Sequence, residues 1–171
     1  MKDHNKTNRF TKILFIIYLI ALFWIILFKF NVSFSNLGYM RSVNLIPFNE
    51  SLIINGKIHL GEIIMNAVIF IPFGIYVGVI FKRWTTEKKL ISILSISLAC
   101  EVLQFILGIG ASDITDVITN TLGGIIGLVI YKGIEKLFKD NIRAQKFINV
   151  IASMGTISTI LLLLLLVIYN L

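Results

Sequence analysis

The sequence predicts an all-α membrane protein, a bundle of about five transmembrane helices with a long extracytoplasmic loop between the first two. Three observations predict it. Hydrophobic residues make up 57% of the chain and mean hydropathy is +0.89, whereas soluble domains are about 45–50% apolar. The excess is gathered in long uncharged runs, and roughly 17–25 such residues cross a bilayer as a helix. The basic residues, which give a net charge of +7 and a pI of about 9.6, sit in short clusters between those runs. Membrane topology requires that placement, and it argues against a nucleic-acid partner. At 171 residues the chain fits one membrane domain and leaves no room for a second, soluble one.

Residues 1–12 form a basic tail that precedes the first span, at about 11–30. Its uncharged core, Ile13 to Phe28, is bracketed by Lys12 and Lys29. A signal peptide is the competing reading, with Ser33-Phe34-Ser35 as a weak cleavage pattern. The apolar run is longer than most signal cores and Lys29-Phe30-Asn31 is a poor cleavage region, so a retained anchor is expected. The second span covers 63–81 and the third 90–110, the latter with a single charge, Glu101. The fourth, 115–131, is the shortest uncharged run, with Thr115 and Asp116 at its interfacial end. An additional C-terminal helix is expected at 147–171. The 31–62 loop contains the turn formers Gly38, Pro47, Asn55-Gly56 and Gly61, but also the apolar Leu45, Ile46, Phe48 and Ile53-Ile54. A segment folded back onto the membrane face is expected rather than a structureless loop.

Orientation follows from the loops. Lys2, Lys6, Arg9 and Lys12 precede the first span. Lys82, Arg83, Lys88 and Lys89 separate the second from the third. Lys132, Lys136, Lys139, Arg143 and Lys146 separate the fourth from the fifth. The other side carries Lys29, Arg41 and Lys57. Basic loops resist translocation, which places the N-terminus in the cytoplasm and the C-terminus outside.

Glu101 is the sharpest single feature, because a charge near the middle of a span costs about 2.5–3.5 kcal/mol on insertion scales. Ser97, Glu101, Gln104 and Gly108 share one helical face. A packing role through a hydrogen bond to a neighbouring helix competes with a functional one. Asp113, Asp116 and Asn120 share the next face, at i, i+3 and i+7. One Asp there is explained by capping a helix N-terminus; two acids followed by an Asn ask for more. Glu62 and Asn66 open the second span on a common face, and Pro72 further along predicts a kink. The Gly123/Gly127 and Gly74/Gly78 spacings read as close helix packing. All the polar constellations fall in the extracytoplasmic halves of the spans. They imply an outward polar cavity, with Arg41, Asn44 and His59 of the long loop placed to close over it. The lone Cys100 reads as a small packing residue. No metal-ligand spacing, HExxH, phosphate loop or nucleophile motif is present, and no cofactor is expected.

Asn44-Leu45-Ile46-Pro47-Phe48, Asn66 with Phe70-Ile71-Pro72-Phe73-Gly74, Glu101-x-x-Gln104, and Asp113-Ile114-Thr115-Asp116 followed by Asn120-Thr121-Leu122-Gly123-Gly124, in that order and spacing, resemble the VanZ-like family. The resemblance covers residues 13–138. It implies a multi-pass bacterial plasma-membrane protein, in a family whose namesake is associated with resistance to the glycopeptide teicoplanin. Two departures stand out: residues 110–112 are Gly-Ala-Ser where many relatives carry an arginine, and Thr115 stands where an acid is common. Three functions are open. The first is an accessory protein that binds a lipid-linked cell-wall precursor or another amphiphile through Arg41, Asn44, Glu62, Asn66, Glu101, Gln104, Asp113, Asp116 and Asn120. The second is a membrane-embedded hydrolase or transferase acting on lipid head groups through Glu101, Asp113 and Asp116, with a side-chain base or a hard cation. The third is a structural or partner-binding membrane protein without a ligand.

Overall fold

The computed structural model describes residues 2–28, 40–48, 53–54, 57–58 and 60–169. Within them lie five helices, α1 (Lys2–Phe28), α2 (Leu60–Ile80), α3 (Thr86–Leu107), α4 (Ile114–Phe138) and α5 (Asn141–Tyr169). Each is long and apolar enough to cross a membrane. Four short strands accompany them, β1 (Met40–Asn44), β2 (Ile53–Ile54), β3 (Lys57–Ile58) and β4 (Ile109–Asp113).

The helices overrun the apolar runs because charged residues are compatible with helix wherever they reach the interface. α1 starts at Lys2, inside the basic tail, and α4 continues past Tyr131 to Phe138, where Lys139 adopts a left-handed conformation (φ 52°) and its N–H caps Glu135. Asp140 opens α5 by accepting from Ile142 N at 2.8 Å. The third span differs from the uncharged run in the other direction. Thr85 caps α3 by accepting from Lys88 N, and Gly108, in the left-handed region at φ 62°, closes it. The expected end at residue 110 is therefore corrected to Leu107, and Ile109–Asp113 is extended chain. That segment pairs in parallel with β1, with Arg41 opposite Gly110 and Asn44 opposite Asp113. The side chain of Arg41, all of His59 and the signal-peptide cleavage pattern lie outside the described residues.

α2 and α4 pack backbone to backbone. A Cβ on Gly123 would collide with the Ala67 carbonyl, one on Gly127 with the Ile71 carbonyl, and one on Gly74 with the Gly124 carbonyl. The pairs rise together along both helices, so α2 and α4 run parallel, and α3 is the return connection that joins them in the chain. Pro72 sits within α2, and close to it the Tyr18 hydroxyl of α1 donates to the Ile69 carbonyl at 2.7 Å. The main core draws on four helices: Leu22 and Ile26 from α1, Phe70, Phe73 and Val77 from α2, Ile93 and Cys100 from α3, and Leu128 from α4. α5 joins α1 through buried polar contacts. Thr11 bonds Asn149 at 2.9 Å, and the Gln145 amide donates to Asn8 at 2.9 Å and to Thr11 at 2.7 Å.

Candidate functional site

The helix period puts Ser97, Glu101 and Gln104 on one face of α3, and all three are buried. Ser97 donates to the Val117 carbonyl of α4 at 3.4 Å. Glu101 reaches the start of α4, where its Oε2 accepts from Asp113 N at 2.9 Å. Asp113 is the N-cap of that helix and accepts from Thr115 N at 2.7 Å. Its other oxygen accepts from Asn44 Nδ2 at 3.2 Å, across the strand register that sets the two residues opposite. Asn44 Oδ1 accepts from Ile46 N at 3.1 Å, turning the chain beyond β1, and Thr115 Oγ1 accepts from Phe48 N at 3.0 Å. Asn44, Glu101, Asp113 and Thr115 thus form a lock between the loop segment 40–48, α3 and the first turn of α4. The lock places carboxylates at the positive end of the α4 dipole, which offsets part of their desolvation. Thr115 is the member sequence reasoning missed. Its position two residues after a capping Asp was the available signal.

Beside the lock is a cavity of about 450 Å³. Its polar wall comes from three helices: Glu62 and Asn66 of α2, Gln104 of α3, and Asp116 and Asn120 of α4. Ile25 and Ile26 of α1 and Met65 and Ile69 of α2 form the apolar wall. The Gln104 amide nitrogen donates to the Ile26 carbonyl at 3.1 Å, while its Oε1 has no hydrogen-bond partner. Asn120 is fully buried, and neither atom of its amide has a hydrogen-bond partner among the described residues.

The structure therefore divides the candidate residues. Glu62, Asn66, Gln104, Asp116 and Asn120 converge on the cavity. Asn44, Glu101 and Asp113 are not among its lining residues and serve the lock instead. Among the described residues no three His, Cys, Asp or Glu side chains gather as a metal cluster. A second, apolar cavity of about 300 Å³ lies between α1, α2, the Ile134 region of α4 and α5. Tyr18, Pro72, Tyr76, Ile151 and Thr156 are among its walls, and Ile25 and Ile69 line both cavities. The polar chamber and the apolar cavity thus adjoin at Ile25 and Ile69.

A family model described as VanZ/LLP1 matches residues 15–139. Protein VanZ of Enterococcus faecium is 40% identical over 156 residues, covering 90% of this chain and 88% of that protein. The chain belongs to the VanZ-like family. No solved structure matches it. The VanZ-like region contains every side chain of the lock and of the polar cavity, whereas α5, which supplies part of the apolar cavity, lies beyond it.

Proposed function

We propose that this VanZ-like protein sits in the bacterial plasma membrane with its N-terminus in the cytoplasm, and that its outward polar cavity binds the head group of an amphiphilic envelope ligand. A lipid-linked cell-wall precursor has the required chemistry, and its chain would follow the apolar cavity. Withholding such a ligand from a glycopeptide is how the protein would contribute to teicoplanin resistance.

Asn120 is the observation that carries the reading. An amide buried without partners costs about 1–3 kcal/mol, and buried polar groups are otherwise paired. Gln104 Oε1 faces the same deficit. Together these side chains offer acceptors and a donor to hydroxyl and amide groups. The apolar cavity that adjoins the chamber at Ile25 and Ile69 suits a ligand with a tail. Catalysis by Glu101, Asp113 and Asp116 has less support, because Glu101 and Asp113 accept backbone N–H groups at 2.9 and 2.7 Å. The orientation rests on the basic loops.

The test is mass spectrometry of lipids that co-purify with wild-type protein and with Asn120→Leu. An amphiphile enriched on wild type and depleted on the variant supports the reading. Equal lipid content on both refutes it.

A further inference from the structure

At the opposite end of the bundle, where the basic loops lie, is a third cavity of about 320 Å³. Lys12 of α1 and Lys82, Arg83 and Trp84 of the turn after α2 line it, together with Asn8 of α1 and Gln145 of α5. Among the described residues no acid is on its wall. None of the three cations forms an ion pair among the described residues. The acids whose charges act on Lys82 are occupied: Glu135 accepts from the Tyr131 hydroxyl at 3.0 Å, and Asp140 pairs with Arg143 at 3.4 Å.

The depth of this cavity is set by the sequence. Lys12 is the last charge before the apolar run of α1, and Lys82 follows two residues after the end of α2 at Ile80. Trp84 stacks on Phe81 with ring centroids 4.1 Å apart, an aromatic pair of the kind found at the headgroup level. The cavity therefore lies at the boundary between hydrocarbon and head groups. Gln145 adds a second, independent feature. It is 2% exposed, its nitrogen donates to Asn8 and Thr11, and its Oε1 has no hydrogen-bond partner. The phosphodiester group of a lipid has no proton to donate to that acceptor. A phosphodiester whose head group also carries a hydroxyl would satisfy it.

We propose that this cavity binds an anionic phospholipid with a hydroxylated head group, of the phosphatidylglycerol kind, with the phosphate held by Lys12, Lys82 and Arg83 and the hydroxyl donated to Gln145. The site is separate from the outward cavity and stands whether or not that cavity binds a ligand. Burial holds the Lys82 ammonium below the ordinary lysine value, against the pull of Glu135 and Asp140, so an anion brought beside it relieves a strained charge. Basic pockets between helices on the cytoplasmic side are where anionic head groups bind in general.

The experiment is native mass spectrometry of the detergent-purified, delipidated full chain titrated with phosphatidylglycerol, phosphatidylmethanol, phosphatidylcholine or free glycerol phosphate. Phosphatidylglycerol is expected to bind most tightly, about tenfold or more above phosphatidylcholine. The triple variant Lys12→Gln, Lys82→Gln, Arg83→Gln should erase that preference. A control triple of equal charge loss, Lys136→Gln, Lys139→Gln, Arg143→Gln, should keep it. Equal loss in both triples would mean diffuse attraction to basic loops and would overturn the proposal. Equal binding of phosphatidylcholine would do the same, as would binding of free glycerol phosphate as tight as that of the lipid. Phosphatidylmethanol, which keeps the phosphate and lacks the hydroxyl, should bind several-fold more weakly, and parity with phosphatidylglycerol would overturn the Gln145 contact. Size exclusion and helicity of both triples establish that the comparison is between folded proteins.

Discussion

Asn120→Leu separates ligand binding from folding because the two should move in opposite directions. Asn120 has 0% relative exposure, and neither its Nδ2 nor its Oδ1 has a hydrogen-bond partner. Leucine has the same branching at Cγ, removes both unsatisfied atoms, and adjoins a cavity, lined also by Met65 and Ile69, that has room for its larger methyl groups. Replacing unpaired buried polar atoms by apolar ones of similar shape is neutral to stabilising. With about 1–3 kcal/mol at stake per unpaired group, we expect the variant to gain about 1–3 kcal/mol. Thermal unfolding in detergent, followed by the loss of helical signal, reads this as a higher midpoint. The same purified samples should lose the co-purified amphiphile, and cells carrying the variant should lose whatever glycopeptide tolerance the wild type confers. A variant that unfolds earlier than wild type while keeping its lipid and its phenotype would refute the reasoning, because the amide would then be a structural element. A stabilised variant with unchanged lipid would refute the ligand half alone.

Gly123→Ala should sharply reduce the amount of folded protein, since its methyl group meets the Ala67 carbonyl. Gly133→Ala in the same helix has open space and should gain about 0.5–1 kcal/mol from helix propensity; equal folded yields of the two variants would contradict the backbone contact between α2 and α4. Glu101→Leu should cost about 1–3 kcal/mol by orphaning the Asp113 N–H. Glu101→Gln, which keeps an acceptor, should cost under about 1 kcal/mol, and equal unfolding midpoints of these two variants would remove Glu101 from the lock. Thr115→Val deprives Phe48 N of its acceptor and should speed hydrogen exchange across 40–48 without changing exchange in α2; unchanged exchange in 40–48 would argue against that bond. Finally, Ser112→Cys in a Cys100→Ser background should react with a membrane-impermeant thiol reagent on intact cells while Thr85→Cys should not, and the reverse pattern would invert the topology.

The five helices were legible because lipid imposes a crude and unmistakable requirement, a run of uncharged residues about 30 Å long when coiled. Their ends were not. Hydropathy stops at Lys132, yet the backbone of α4 continues to Phe138 because lysines there extend into water. The same blindness acts in reverse at Ile109-Gly110, which is uncharged and so reads as span although it is strand. What makes it a strand is a parallel partner at Met40–Asn44, far away in the chain, and no local period records such a pairing. Gly108 carried the signal, since glycine is the residue most at ease in the left-handed region where a helix closes. Its place on a polar face drew it into the site argument instead.

The candidate site shows where pattern reasoning stops. Periodicity predicts which residues share a face, and Ser97, Glu101 and Gln104 are indeed buried together. It cannot say which neighbour each side chain meets. Glu101 and Gln104 are one turn apart, yet one accepts from the N–H of Asp113 and the other donates to the Ile26 carbonyl of α1. That division has a consequence for recognition. The lock absorbs the carboxylates of Glu101 and Asp113 into backbone contacts. The residues lining the polar cavity that carry unpartnered polar atoms are then amides, Asn120 and Gln104, with the acids Glu62 and Asp116 on the same wall. By formal charge such a wall disfavours a phosphate and suits neutral hydroxyl and amide groups. The cavity at the other end of the bundle, ringed by Lys12, Lys82 and Arg83, has the opposite preference. A ligand seated in the polar cavity would therefore present a neutral, sugar-like or peptide-like portion to the amides and keep any phosphate clear of Glu62 and Asp116. Asp116→Asn should accordingly leave binding of a neutral head group within a few-fold of wild type while relaxing the exclusion of anionic ones. If the variant instead loses a neutral ligand and gains no anionic one, the acid is a direct hydrogen-bond acceptor for that ligand, and exclusion by charge is the wrong account of the cavity.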